Sequence, residues 1–224
     1  MAVVDKPSGM LVHRGWDNDP VVAMTLLRDQ LGRHVFPVHR LDRGTSGVLL
    51  FALSSEVAAA LQKQFEEGAV QKTYLALVRG VPKEEQGVVD HPVPKTEDGP
   101  RVPAVTAWRR LWAGEPSATF RSGFSLVQAE PKTGRFHQIR RHLKHLGHPL
   151  VGDVNYGRGE VNRFFREQYG FNRLALHALA LSLRHPVTGA ALQVKAPVPE
   201  DLAKVFMALG APESAWRLGD SAVA

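Results

Sequence analysis

The sequence predicts an α+β fold: one domain over residues 1–224, with a mixed, mostly antiparallel sheet and helices flanking it. Three observations carry that expectation. Short apolar or alternating runs recur along the chain, several close enough in sequence to pair with a neighbour. Stretches with apolar residues at helical spacing fall between them. Neither an internal repeat nor a linker divides the chain.

Met1-Ala2-Val3-Val4 reads as a very short strand entering the loop signal Asp5-Lys6-Pro7-Ser8-Gly9. A strand that starts so abruptly suggests that a few residues precede it in the natural protein. From Pro20 to Leu31, Val21, Met24, Leu27 and Leu31 recur at helical spacing, and Gly32 ends the run. Strand-like runs at Val35–Val38 and Val48–Phe51 enclose the stretch His39–Gly47. Ser54 or Ser55 caps the next helix, with Val57, Leu61 and Phe65 on one face and Gly68 at its end. Lys72–Val78 alternates as a strand.

Residues 80–103 are rich in proline and glycine among charges, with too little apolar surface for a core element. They read as a surface loop excursion or hairpin. Ala104–Trp108 and Phe124–Val127 look like paired strands. A helix is expected from Arg135 to Leu146, with Phe136, Ile139, Leu143 and Leu146 facing inward and Gly147 closing it. A shorter helix covers Val161–Tyr169. Leu174–Leu183 and Ala191–Lys195 flank Thr188-Gly189 as a hairpin, and Asp201–Leu209 forms the last amphipathic helix.

Composition narrows the function. The net charge of +6 and sequence pI of 9.8 suggest an anionic partner, most often nucleic acid. The absence of cysteine excludes disulfides and thiolate catalysis. No apolar run approaches the length of a membrane span, so the chain reads as a cytoplasmic protein.

The chemistry gathers in two stretches. His39-Arg40-Leu41-Asp42-Arg43-Gly44-Thr45-Ser46-Gly47 places one carboxylate, Asp42, in a short basic loop between two apolar runs. The plain alternative is a turn residue bonding its own backbone. Lys132–His145 holds five Lys or Arg and three His with no acid. Arg135, Gln138 and His142 are expected on one side of its helix, and Arg141, Lys144 and His145 on another. Arginine forks match phosphate geometry, whereas a merely solvated face usually mixes both signs. Neighbouring arginines would repel a cation, so His137, His142, His145 and His148 are not read as a metal site. His39 and His177 read as hydrogen-bonded core histidines. A single ionised Asp can attack an anomeric carbon or stabilise an oxocarbenium ion, and an aromatic such as Tyr74 can stack on a base. That set is compatible with glycosidic-bond chemistry on a nucleotide, without selecting it.

Several stretches taken together resemble the RluA-type RNA pseudouridine synthases across nearly the whole chain. They are Asp5–Gly9, His39–Asp42, Gln71–Gly80, Gly134–Arg140, Leu146–Pro149 with Gly152-Asp153, and Leu176-His177-Ala178. Within the family, Leu11–Arg14, Arg28–Gln30, His34–Phe36, Pro103–Thr106 and Glu130–Arg135 resemble the branch that modifies uridine 65 of tRNA.

The resemblance implies a pseudouridine-synthase-like domain with a catalytic cleft. In it Asp42 attacks the uridine at C1′ or C6, or steadies the sugar cation. Tyr74 stacks on the base and is placed to take the C5 proton. Arg135 pairs with Asp42, and Leu176 packs under the uracil. Arg40 fills the space that the flipped base vacates. Lys72, His137, Gln138, Arg140, Arg141 and Lys144 are expected to contact the RNA, with Arg140, Arg141 and Lys144 on phosphates. Neither cofactor nor metal is implied, and a monomer is expected. The alternatives are a synthase acting on ribosomal RNA, an inactive basic RNA-binding protein, or a nucleoside hydrolase.

Overall fold

The computed structural model describes residues 1–14, 19, 21–116 and 119–217. The expected start of the first helix at Pro20 lies outside them. The fold is α+β, as the alternation of strand-like and helical runs predicts. The chain folds as two compact units, Met1–Lys72 with Ala178–Ala196 and Thr73–His177 with Pro197–Ala224.

In the first unit, β1 (Ala2–Lys6) lies antiparallel to β3 (Ser46–Ala52), with Val4 opposite Leu49 and Lys6 opposite Gly47. The two-residue β2 (Phe36–Pro37) also pairs with β3. The part of β10 (Leu176–Arg184) from Ala178 onward pairs with β11 (Ala191–Lys195) through the expected hairpin, closed by His185 N–H to Ala190 O at 2.8 Å. Every residue of β3 is buried, which is why it reads as a continuous apolar run rather than an alternating one.

Helix α1 (Ala23–Leu31) ends at Gly32 in the left-handed conformation. Its periodicity marked a helix without marking the buried face: Val22 and Ala23 are buried, whereas Val21 and Leu31 are exposed. Helix α2 (Ser55–Glu66) takes Ser54 as its cap, the Ser54 Oγ accepting the Val57 N–H at 3.4 Å. Its Leu61 and Ala58 pack with Val48, Leu50, Leu181 and Leu183 in one apolar core, and Val57 and Phe65 lie against it.

In the second unit the strands run β4–β9–β8–β5, each antiparallel to its neighbour. Strand β4 covers Gln71–Arg79, β5 Gln86–Asp90, β8 Val105–Ala113 and β9 Phe124–Pro131. Between β5 and β8, β6 (Val93–Pro94) and β7 (Arg101–Val102) make a small hairpin. The expectation of a surface loop over 80–103 therefore needs correction. Gln86–Asp90 is a strand of the sheet, and Val89 and Val93 are buried at 4% and 1% exposure. So few apolar side chains suffice because β8 supplies the backbone partners of β5, and β7 those of β6.

Helices α3 (Gln138–His145), α4 (Gly159–Tyr169) and α5 (Glu200–Ala208) complete this unit. The α3 residues Ile139 and Leu143 share a core with Ala76, Val78, Trp108, Val127, Leu150 and Leu176. Helix α3 begins three residues later than the sequence suggests, because His137 takes a left-handed conformation at φ 52°.

Candidate active site

Asp42 lies in the first unit, half-buried in the loop that enters β3. The local turn is closed by Thr45 N–H to Asp42 O at 3.0 Å. Leu41, Thr45 and Ser46 are buried on either side and fix the loop's ends. A second loop, Pro7–Met10, is laced to it. The fully buried Lys6 donates its ammonium to the carbonyls of Pro7 (2.9 Å), Met10 (2.8 Å) and Arg43 (3.3 Å). Gly9 N–H reaches Arg43 O at 2.8 Å, and Ser8 Oγ–H reaches Gly44 O at 2.7 Å. Arg43 returns a bond from Nε to Gly9 O at 3.1 Å and pairs with Asp19. A lysine can be buried here because three carbonyl oxygens replace its water. The Lys6–Met10 loop and the Arg43-Gly44 segment that directly follows Asp42, remote in sequence, are thus clasped together.

His39 is a core histidine, as expected. Its Nε2 accepts the Leu50 N–H at 3.0 Å and its ring stacks on Phe65 at 4.9 Å. Burial, with a smaller contribution from the Lys72 charge, pushes its pKa down to about 4. Arg40 is exposed, and Lys72 is half-buried in β4.

The other expected residues lie in the second unit. Tyr74 sits half-buried in β4 opposite Ala129 and packs against the core that contains Leu176. Arg135 is exposed, and its Nε reaches Pro103 O at 3.4 Å. It lies outside the helix, as first residue of a β-turn closed by Gln138 N–H to Arg135 O at 3.1 Å.

Two expected RNA contacts are corrected by their surroundings. Gln138 is buried, and all four of its side-chain hydrogen-bonding positions are used within the protein. Its Nε2 donates to Val105 O and Thr106 Oγ1, both at 2.9 Å. Its Oε1 accepts from Thr133 Oγ1 at 2.7 Å and from the Arg135 N–H at 3.0 Å. Arg140 is buried too, in a two-pronged pair with Asp153. Both side chains serve the scaffold.

His142 likewise does not project to solvent. It is fully buried, with Nε2–H donating to His91 O at 2.9 Å and Nδ1 accepting from the Thr106 hydroxyl at 2.8 Å. Burial lowers its pKa, in agreement with that neutral form.

Arg141 and Lys144 remain on the accessible side of α3. Their cationic groups lie 4.9 Å and 5.7 Å from the ring centroid of Tyr156. Tyr156 and Asp153 are participants that no periodicity or spacing marked. The only trace in the sequence was Gly152-Asp153, present in the resemblance without a role. Among the described residues no group of three or more His, Cys, Asp or Glu is placed to hold a metal ion. No described helix is long and apolar enough to cross a membrane.

The RNA pseudouridylate synthase family matches residues 1–145. The chain belongs to that family, enzymes that isomerise uridine to pseudouridine in RNA. It is 45% identical over 216 residues to the tRNA pseudouridine synthase C of Vibrio cholerae serotype O1, covering 89% of this chain and 88% of that one. It is 44% identical to the protein of the same name from Salmonella typhi, covering 97% and 87%. Among solved structures, human RNA Pseudouridylate Synthase Domain Containing 4 is similar with a TM-score of 0.73 and 27% identity, over 93% of this chain and 89% of that one.

Proposed function

We propose that this chain converts one uridine of tRNA, position 65, to pseudouridine in the cytoplasm, acting as a monomer without a cofactor. The observation that carries the reading is the likeness, along almost the full chain, to relatives named for tRNA. The clasp that fixes the backbone around Asp42 supports the assignment of that carboxylate.

The reaction is an isomerisation. The N1–C1′ bond of uridine breaks, the uracil turns over in place, C5 bonds to C1′, and the C5 proton leaves while N1 gains one. Asp42 supplies the carboxylate that attacks at C1′ or C6, or that steadies the sugar cation. Tyr74 stacks on the base, and Leu176, in the same apolar core, keeps water from the detached uracil. Arg135 keeps the carboxylate ionised and aimed. Extruding the target base costs a few kcal/mol, which contacts to the RNA backbone offset. Arg40, exposed beside Asp42, fills the vacated space, while Lys72, His137, Arg141 and Lys144 engage the RNA.

The test is pseudouridine mapping of tRNA and ribosomal RNA from cells lacking this protein, complemented with wild type or Asp42→Asn. Loss of pseudouridine 65 in tRNA, restored by wild type alone, is the expected result. Loss at a ribosomal position would overturn the substrate, and restoration by Asp42→Asn would overturn the nucleophile.

A further inference from the structure

His137 is the one non-glycine residue with positive φ among the described residues. It occupies the third position of the Arg135–Gln138 turn, a place that favours glycine or asparagine when φ is positive. For a side chain as large as histidine this conformation costs about 1–2 kcal/mol and needs surroundings that enforce it. Two contacts do so. Phe136 stacks on its ring at 3.8 Å, and Tyr156 joins it through a hydrogen bond of 3.0 Å between the hydroxyl and Nδ1.

Tyr156 is itself anchored to the interior. Its backbone N–H donates to Asp153 Oδ1 at 3.0 Å, the same oxygen that receives Nη2 of Arg140. The Arg140 guanidinium lies 5.0 Å from the Tyr156 ring centroid, close to that of Arg141 on the same ring. The buried Asp153–Arg140 pair therefore sets Tyr156, Tyr156 sets His137, and the left-handed His137 sets the turn that begins at Arg135. From the other side, Gln138 Oε1 holds the Arg135 N–H.

From these contacts we infer that Tyr156 is a positioning residue, whose hydroxyl holds His137 and thereby the Arg135 turn in the conformation that catalysis requires. This rests on the role given to Arg135 above. The device acts on geometry alone: Tyr156 needs no contact with the uridine, and its effect belongs to turnover rather than RNA affinity.

Tyr156→Phe keeps the ring, its packing and its cation contacts, and removes only the hydroxyl. His137→Asn tolerates positive φ but loses the bond and the stacked ring. Single-turnover rates, RNA dissociation constants and thermal midpoints are measured for both, for the double variant and for Arg135→Ala.

Tyr156→Phe is expected to slow the single-turnover rate by about tenfold, the effect of one well-placed hydrogen bond, with RNA affinity and thermal midpoint unchanged. Because the two residues act through one bond, the double variant should be no slower than His137→Asn alone. A wild-type rate for Tyr156→Phe while Arg135→Ala is inactive would overturn this inference and leave the proposed function standing. A loss confined to RNA affinity, or fully additive effects, would also overturn it. An active Arg135→Ala would overturn the role of Arg135 and, with it, this inference.

Discussion

Arg140 grips Asp153 through two hydrogen bonds, Nε to Oδ2 at 2.7 Å and Nη2 to Oδ1 at 2.8 Å, and both side chains are buried. The same carboxylate receives the N–H groups of Asn155 and Tyr156. Removing it strands a guanidinium in the interior. Asp153→Ala should therefore lower unfolding free energy by about 3–5 kcal/mol, read by urea denaturation. A loss below about 1 kcal/mol would place the pair with weak surface bridges.

That carboxylate also makes stability depend on acid. Burial works to raise the Asp153 pKa, and the bonds from Arg140 and the Tyr156 and Asn155 N–H groups more than reverse it, leaving it below the usual 3.8. A group whose folded pKa is depressed stabilises the protein above its unfolded value and loses that effect as pH falls through the folded one. The contribution should fade below pH 3.8, and Asp153→Asn should abolish this part of the acid dependence.

His39 acts over a different range. Its folded pKa of about 4 lies below the unfolded 6.5, so the unfolded chain binds the additional proton. Stability should fall as pH drops from 6.5 towards 4, with a slope of up to about 1.4 kcal/mol per pH unit. His39→Gln should flatten that interval in urea titrations. An unchanged slope would assign the dependence to another group.

Gly47, in β3 at φ 110°, has no room for a side chain. A Cβ there would stand 2.2 Å from the Ala178 carbonyl oxygen, a backbone atom that cannot swing aside. Gly47→Ala should cost more than about 2 kcal/mol, through both the clash and the positive φ, and should be visible in the thermal midpoint.

Salt separates the cations of α3. Arg141→Ala and Lys144→Ala should each make RNA affinity less salt-dependent, by about 0.7–0.9 in the slope of log K against log salt for one lost phosphate contact. Arg140→Met should leave the slope unchanged, since Asp153 already holds that charge. An equal change for all three would return Arg140 to the RNA-contacting face.

What the sequence made legible follows from range. Helix α2 could be read because Ser54, Leu61 and Gly68 carry a cap, a face and a stop within one stretch. Strand β5 could not. Its Val88 is 65% exposed and Val89 4%, so only the pairing with β8 shows it to be a strand. The start of α3 was hidden because His137 bends the backbone without disturbing the apolar spacing. Arg140 looked like a free cation because its partner lies thirteen residues away, beyond any local rule. The chemistry expected of Asp42 rests on family resemblance, because charge and spacing left a turn residue open beside it, and its carbonyl does close a turn.

The two units are interleaved along the chain, since the first needs Ala178–Ala196 after the second has contributed Thr73–His177. During synthesis, β3 must wait for more than half of the polypeptide before the Ala178 segment arrives against Gly47. Throughout that delay a strand that is entirely buried in the folded protein stands without its final neighbour, the state in which unpaired edges recruit other chains. A chain halted before Ala178 therefore lacks the strand that lies beside β3 in the finished unit, and keeps that edge open to pairing with other chains.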